Sequence, residues 1–171
     1  MSRRAVLTLL IAGLAAGSLS QSPAQADEPL SPPQRHQVSS PNGRILAISD
    51  PGKGTKIVEA ATGKELWSLL SWHRWLFVSN DGRHLATGYN GMNLIPHDFK
   101  PDLVLITFWQ EGQKVREVSI QDIAPTRSTL KRTVSHYHWG RIEGPNNKDE
   151  LVVTRADGRK FRFGIATGEQ R

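Results

Sequence analysis

The chain has 171 residues, with 22 Lys and Arg against 16 Asp and Glu, for a formal net charge of +6. The basic residues are scattered and form no run or stripe, so no nucleic-acid footprint is present and nucleic acid is not an expected partner. Cysteine is absent, which excludes disulfides, thiolate metal sites and a cysteine nucleophile. Stability must come from an apolar core, which a chain of this length can bury without staples.

The first 26 residues read as a signal peptide. Arg3 and Arg4 precede an uncharged apolar run over Ala5 to Gly17, and Ala24-Gln25-Ala26 forms an A-x-A site with cleavage after Ala26. The apolar run is short for a spanning helix. Ser2-Arg3-Arg4-Ala5-Val6-Leu7 resembles a twin-arginine signal, but arginine pairs also occur in Sec signals, so both export routes stay open. Either makes the expected location periplasmic or secreted, with no transmembrane segment after cleavage. Removing Arg3 and Arg4 lowers the charge of +6 by two. Residues 27–37, with Pro29, Pro32 and Pro33, read as a proline-rich leader with little structure of its own.

Residues 38–171 read as a single all-β domain. Turns alternate with short apolar runs: Ser40–Arg44 before Ile45–Ser49, Asp50–Gly54 before Thr55–Ala60, Ala61–Lys64 before Glu65–Leu70. Trp75–Ser79, the Asn80–Arg83 turn and His84–Tyr89 follow in the same way. Asn-Gly and Asp-Gly between apolar runs signal hairpins, because the turn needs positive φ. Leu103–Trp109 predicts a long central strand, turned by Gln110–Gln113 into Lys114–Ile120. Gln121–Arg132 breaks the pattern and has room for one short helix. Thr133–Ile142 predicts a further strand. Leu151–Ala166 predicts a hairpin with Phe161, Phe163 and Ile165 on one face and Lys160 and Arg162 on the other.

A weak repeat runs through these hairpins. Ser40–Ser49 with Ile57–Leu69, then Ser79–Tyr89 with Val104–Ile120, then Lys148–Arg171 each give turn, strand, strand, turn and strand. Ser79–Ala86 and Ile57–Lys64 carry the "S-x-D-G-x-x-L-A" and "I-x-x-x-T-G-K" patterns. In these segments the chain resembles the WD40-like or YVTN-type blades of β-propellers, over residues 40–171. The resemblance implies about three antiparallel blades and no particular activity. Asn42 and Asp81 mark two turns, with no later Asn-Gly or Asp-Gly at the same spacing. Three units are too few for a closed propeller. Two arrangements stay open: an incomplete, sandwich-like stack in a monomer, or a homodimer whose two chains complete a ring.

Three stretches carry candidate chemistry. In Ser135–Gly144, His136 and His138 share one face of a strand, roughly 7 Å apart by strand rise. Such a pair suits Zn²⁺ or Cu²⁺ if His73, His84, His97 or Glu143 supplies a further ligand. The competing reading is a half-buried strand whose histidines bond to neighbours. In Ser71–Trp75, Trp72 and Trp75 either stack on a sugar, hold Arg74 by a cation–π contact, or seal the core between sheets; the structural reading weighs more. Gly88–Asp102 is the longest interruption between strands, with Tyr89, Met92, Asn93, His97 and Asp98 as its candidate contacts. Its bland alternative is a loop covering a sheet edge.

No G-x-S-x-G elbow, H-E-x-x-H helix or phosphate loop occurs in the sequence. The expected function is therefore non-enzymatic binding or scaffolding, with an unknown envelope protein or glycan as partner. A metal-binding role for His136 and His138 is the second reading, and Zn or Cu the only cofactor suggested. A hydrolase built from distant residues is the third.

Overall fold

The computed structural model describes residues 29–146 and 148–171, so the signal-peptide span lies outside the described residues. Among the described residues, fourteen strands form four antiparallel sheets, with one turn of α-helix and one 3-10 turn. Sheet 1 is a meander of β1 (His36–Ser39), β2 (Ile45–Asp50), β3 (Gly54–Glu59) and β4 (Glu65–Leu69). Sheet 2 orders β5 (Trp75–Val78), β6 (His84–Gly88), β8 (Val104–Gln110) and β9 (Gln113–Ser119), leaving out β7 (Leu94–Pro96). After β9 come α1 (Ile120–Ile123), the 3-10 turn Arg127–Thr129, β10 (Lys131–Arg132) and β11 (His136–His138). Sheet 3 contains β12 (Gly140–Pro145), β13 (Glu150–Arg155) and β14 (Lys160–Gly164), with Gln170 bridging to Phe163 at its edge. β10, β11 and β7 form a small satellite sheet.

Sheet 2 is covered on both faces. Leu76, Val78 and Leu85 pack into one core with Ile45, Ala47, Ile57 and Leu69 of sheet 1. On its other side Ala86, Ile106 and Phe108 pack with Ile142, Leu151, Val153, Phe161 and Phe163 of sheet 3. This is why β6 is apolar or small almost throughout, and why β8 does not alternate cleanly. β14 does alternate: Phe161 and Phe163 are buried, Lys160 and Arg162 exposed, as the sequence predicts. The outward face of sheet 3 is polar. Arg141 and Glu143 are paired at 2.8 Å, Thr154 Oγ1 donates to Glu143, and Arg162 is exposed. Sheet 1 turns Gln37, Ser39, Lys56 and Ser68 outward, around half-buried Leu46 and Ile48.

The turns entering the second strand of each sheet repeat closely. Gly43 N donates to Ser40 O, and Gly82 N to Ser79 O. The third copy is Asp149 N to Asn146 O. Gly43, Gly82 and Asp149 all have positive φ, at 71°, 69° and 53°. The sequence shows no Asx-Gly at this third turn, because an aspartate that tolerates the left-handed region stands where the glycine would be. These turns also touch in series. Asn42 N donates to Asn80 Oδ1 at 2.8 Å, and the Asn80 amide contacts Asp149 Oδ1 at 3.4 Å.

Two expectations are corrected. Thr133–Ile142 is not one strand: β11 and β12 belong to different sheets, and Val134 lies outside both and is exposed. The chain turns where Gly140 has φ 150° and a Cβ would strike Thr154 O. β1 also starts at His36, two residues inside the span read as leader.

Arg155 fixes sheet 3 to α1. Its buried guanidinium donates to Ile123 O at 2.9 Å and pairs with Asp157 at 2.6 Å. The bond from Arg155 lowers the Asp157 carboxyl to about 2. A depressed carboxylate contributes stability above its unfolded value, and this is lost as pH falls through the folded one. Asp157→Asn is expected to lower stability at neutral pH and to shrink the further loss between pH 4 and 2, measured by urea unfolding across pH. Phe108→Ala is expected to cost about 3–5 kcal/mol, while Val152→Ala on the outward face costs about 1 kcal/mol or less.

Candidate functional site

The three sequence stretches meet at one end of the stack. β7 lies within Gly88–Asp102 and pairs with β11, which lies within Ser135–Gly144, in the register His136–Pro96, Tyr137–Ile95 and His138–Leu94. The Ser71–Trp75 stretch joins them where Arg74 N donates to Asn90 Oδ1 at 3.0 Å. Gly88–Asp102 is thus an insertion between the second and third strands of sheet 2, and half of it is structural. Ile95 is fully buried, with Ile120, Ile123 and Trp139 in the same cluster.

Trp139 anchors the insertion. Its ring is fully buried, its Nε1 donates to Met92 O at 2.6 Å and its backbone N–H to Asn93 O at 3.0 Å. Met92 adopts φ 56° at this turn. Met92 and Asn93 therefore enter through their carbonyls, as the seat of Trp139. His97 Nε2 donates to His136 O at 2.8 Å and its ring meets Tyr137 edge-on, centroids 4.9 Å apart. Phe99 also meets Tyr137 edge-on at 6.0 Å. The Arg127 guanidinium lies 5.1 Å above Phe99 and 5.9 Å from the Tyr137 ring. Asp98 is exposed beside this cluster.

The outward face of the satellite sheet carries Leu94, Pro96, His136 and His138. A groove of about 370 Å³ opens there, lined by Leu94, Pro96, Ser135 and His136, with Tyr89 and Leu30 at its sides. His136 and His138 share this face, as the two-residue spacing requires. Among the described residues, no group of three or more His, Asp or Glu is placed to hold a metal. The proposed further ligands are engaged elsewhere: His84 with Asp81, Glu143 with Arg141 and Thr154, and His97 with the His136 carbonyl. Burial lowers the His138 pKa, and the Lys131 and Arg141 cations lower it further. The same cations repel a metal ion.

Trp72 and Trp75 have different roles. Trp75 lies at the core, edge-on to Trp139 at 6.3 Å and against Gly88, where a Cβ would strike its ring. Trp72 is at the surface beneath Arg74, whose guanidinium sits 5.0 Å from its centroid. The sequence raised both the core and the cation–π readings, and each tryptophan takes one. Between them His73 is half-buried, with its pKa lowered by burial. Its Nε2 lies 2.8 Å from Ser71 Oγ, and its backbone N–H donates to Ser49 Oγ, which bonds Thr55. Trp109 Nε1 donates to Thr87 Oγ1 beside it. These polar side chains satisfy one another where sheets 1 and 2 meet. Ser79, Asp81 and His84 also cluster, but Ser79 Oγ donates to Asp81, not to the imidazole, so no base activates it.

Sequence reasoning missed Arg127, Ser31 and Gln34. Nothing local marks them, because each meets residues distant in the chain, Arg127 through Phe99 and the other two chiefly through backbone carbonyls.

No family model matches the sequence, and no curated protein matches it. Among solved structures the chain is similar to the crystal structure of the RRP9 WD40 repeats, at 13% identity, TM-score 0.43, covering 79% of this chain and 36% of that one. It is also similar to a crystal structure of the eukaryotic initiation factor, at 21% identity, TM-score 0.40, covering 79% and 33%. The chain spans about a third of the length of each. Sheets 1 and 2 each hold four antiparallel strands, and sheet 3 holds three.

A depressed histidine pKa favours the neutral ring in the fold, so this stability is full above the ordinary value and falls as pH drops below it. His73 and His138 are expected to titrate by NMR below pH 6.5, their ordinary value. Lys131→Ala is expected to raise the His138 midpoint and leave that of His73 unmoved.

Proposed function

We propose that this chain is an exported, non-enzymatic binding module whose docking surface is the satellite-sheet end. The observation that carries the reading is the construction of that end. Two separate insertions, Gly88–Asp102 and the segment from α1 to β11, pair with each other and place half-exposed aromatic and apolar side chains beside a groove. The blades need none of this to close their own sheets. Structure added to a rigid β scaffold, with a concave, largely apolar surface, suits recognition of another protein.

The WD40-like blade architecture supports the same role at a coarse level. No helix among the described residues is long and apolar enough to cross a membrane. The export half of the proposal rests on Arg3, Arg4, the apolar run and Ala24-Gln25-Ala26. It places the partner among envelope proteins. Catalysis is the weaker reading: of the Ser–His contacts near this end, Ser71 with His73 is built into the polar network between sheets 1 and 2, and Ser135 with His136, at 2.9 Å, is an exposed pair of chain neighbours.

A photocrosslinker at Leu94 or Tyr89, in the native envelope, is expected to capture one discrete protein. The same crosslinker at Arg162, exposed on the outward face of sheet 3, serves as the control. Equal, diffuse labelling from both positions would overturn the docking surface. A mature N-terminus at Asp27, read by mass spectrometry of the envelope fraction, is the expected sign of export, and an intact Met1 would refute it.

A further inference from the structure

The leader does not hang free of the domain. Arg74 Nη2 donates to Ser31 O at 2.8 Å, and Trp72 Nε1 donates to Gln34 O at 3.0 Å. His36 Nδ1 donates to the same Gln34 carbonyl at 3.3 Å. The two tryptophan and arginine donors are themselves locked together, since the guanidinium lies over the indole. His36 meets Trp72 edge-on at 6.0 Å, closing the other side.

The spacing of the two accepted carbonyls is informative. Ser31 and Gln34 are three residues apart, with Pro32 and Pro33 between them. Proline fixes its own φ and holds the preceding residue in the extended region. A chain so restricted favours the polyproline-II helix, which has three residues per turn and unbonded carbonyls. Carbonyls at i and i+3 then point the same way. One indole N–H and one guanidinium read both carbonyls, and Arg74 Nη1 also reaches the Ser31 hydroxyl at a long 3.5 Å.

We infer that Trp72 and Arg74 form a binding site for proline-rich segments in the polyproline-II conformation, occupied in this structure by the chain's own leader, Ser31–Gln34. Aromatic and donor groups that grip a low-entropy extended backbone are a general means of recognising such segments. The fit of the resident segment is incomplete. Arg74 Nε and His36 Nε2 are buried without a hydrogen-bond partner among the described residues. A ligand that satisfies them gains what the leader forgoes. Leu30, immediately before the strap, forms one side of the groove beside Leu94 and Pro96. The strap therefore lies across part of the surface proposed above for docking, and its displacement by a proline-rich segment of another protein would open that surface.

The inference rests on the binding reading only for the identity of the displacing protein, and its test requires no partner. A tethered strap competes at an effective concentration in the millimolar range. A synthetic peptide Leu-Ser-Pro-Pro-Gln-Arg is titrated into the full chain and into its Pro32→Gly/Pro33→Gly variant, following tryptophan fluorescence and calorimetry. Glycine at both positions frees the strap, and no core residue is altered, so an unchanged circular dichroism spectrum confirms that the variant is folded. The expected result is at least tenfold tighter peptide binding by the variant than by the unaltered chain. Adding Arg74→Ala to the variant should abolish that binding, while Lys56→Ala, on the outward face of sheet 1, should leave it intact. Equal affinity for both chains, no binding to either, or binding that survives Arg74→Ala would overturn the inference. Failure of the Leu94 crosslink with success here would remove the docking partner and keep the clamp.

Discussion

Burial of sheet 2 on both faces is the constraint on which the remaining structure depends. A strand covered on one side can alternate apolar and polar residues. A strand covered on both cannot, so β6 presents Leu85 and Thr87 to sheet 1 and Ala86 and Gly88 to sheet 3. Small residues on the second side let Trp75 lie close over Gly88, with Ile142 beside it. The two flanking sheets then need only one apolar face each. Their outward sides carry polar side chains, Arg141 and Glu143 on sheet 3 and Lys56 and Ser68 on sheet 1. Polar terminal faces are what a stacked architecture requires where stacking stops.

The same constraint fixes where binding can be placed. With both faces of sheet 2 used, an insertion between β6 and β8 has to leave by the end of the sheet. There it meets the segment that follows β9, and Trp139 joins the two by bonding the carbonyls of Met92 and the adjacent Asn93. The connection from β4 to β5 runs over the same end and brings Trp72 and Arg74 alongside. Leader, insertion and satellite sheet therefore share one surface because chain connectivity leaves them no other.

Much of the fold was legible in the sequence because its turns are made by local rules. Asn42-Gly43 and Asp81-Gly82 announce positive φ, and Phe161, Phe163 and Ile165 announce a one-sided strand. The third turn was not legible, since Asp149 does the work of a glycine without the glycine's signature. The satellite sheet was hidden for a different reason. Strands of two or three residues, Leu94–Pro96, Lys131–Arg132 and His136–His138, are too short to carry a period, and their pairing is set by distant partners. The two histidines were placed correctly on one face, but the surrounding cations and engaged neighbours depend on tertiary structure alone. Docking of the leader uses chiefly carbonyl oxygens, which every residue has, so composition could suggest only a linker.

The central claim is that three sheets make a finished stack, with sheet 2 satisfied on both sides and the outer faces built for water. Sedimentation velocity of the chain over a wide concentration range tests this most directly. The account predicts a single monomeric species throughout, because neither outward face offers the apolar area that an obligate interface buries. A concentration-dependent dimer that is broken by charge reversal at Lys56 or Arg162 would contradict it. Those faces would then be ring-closing surfaces, and the stack would be half of a larger propeller.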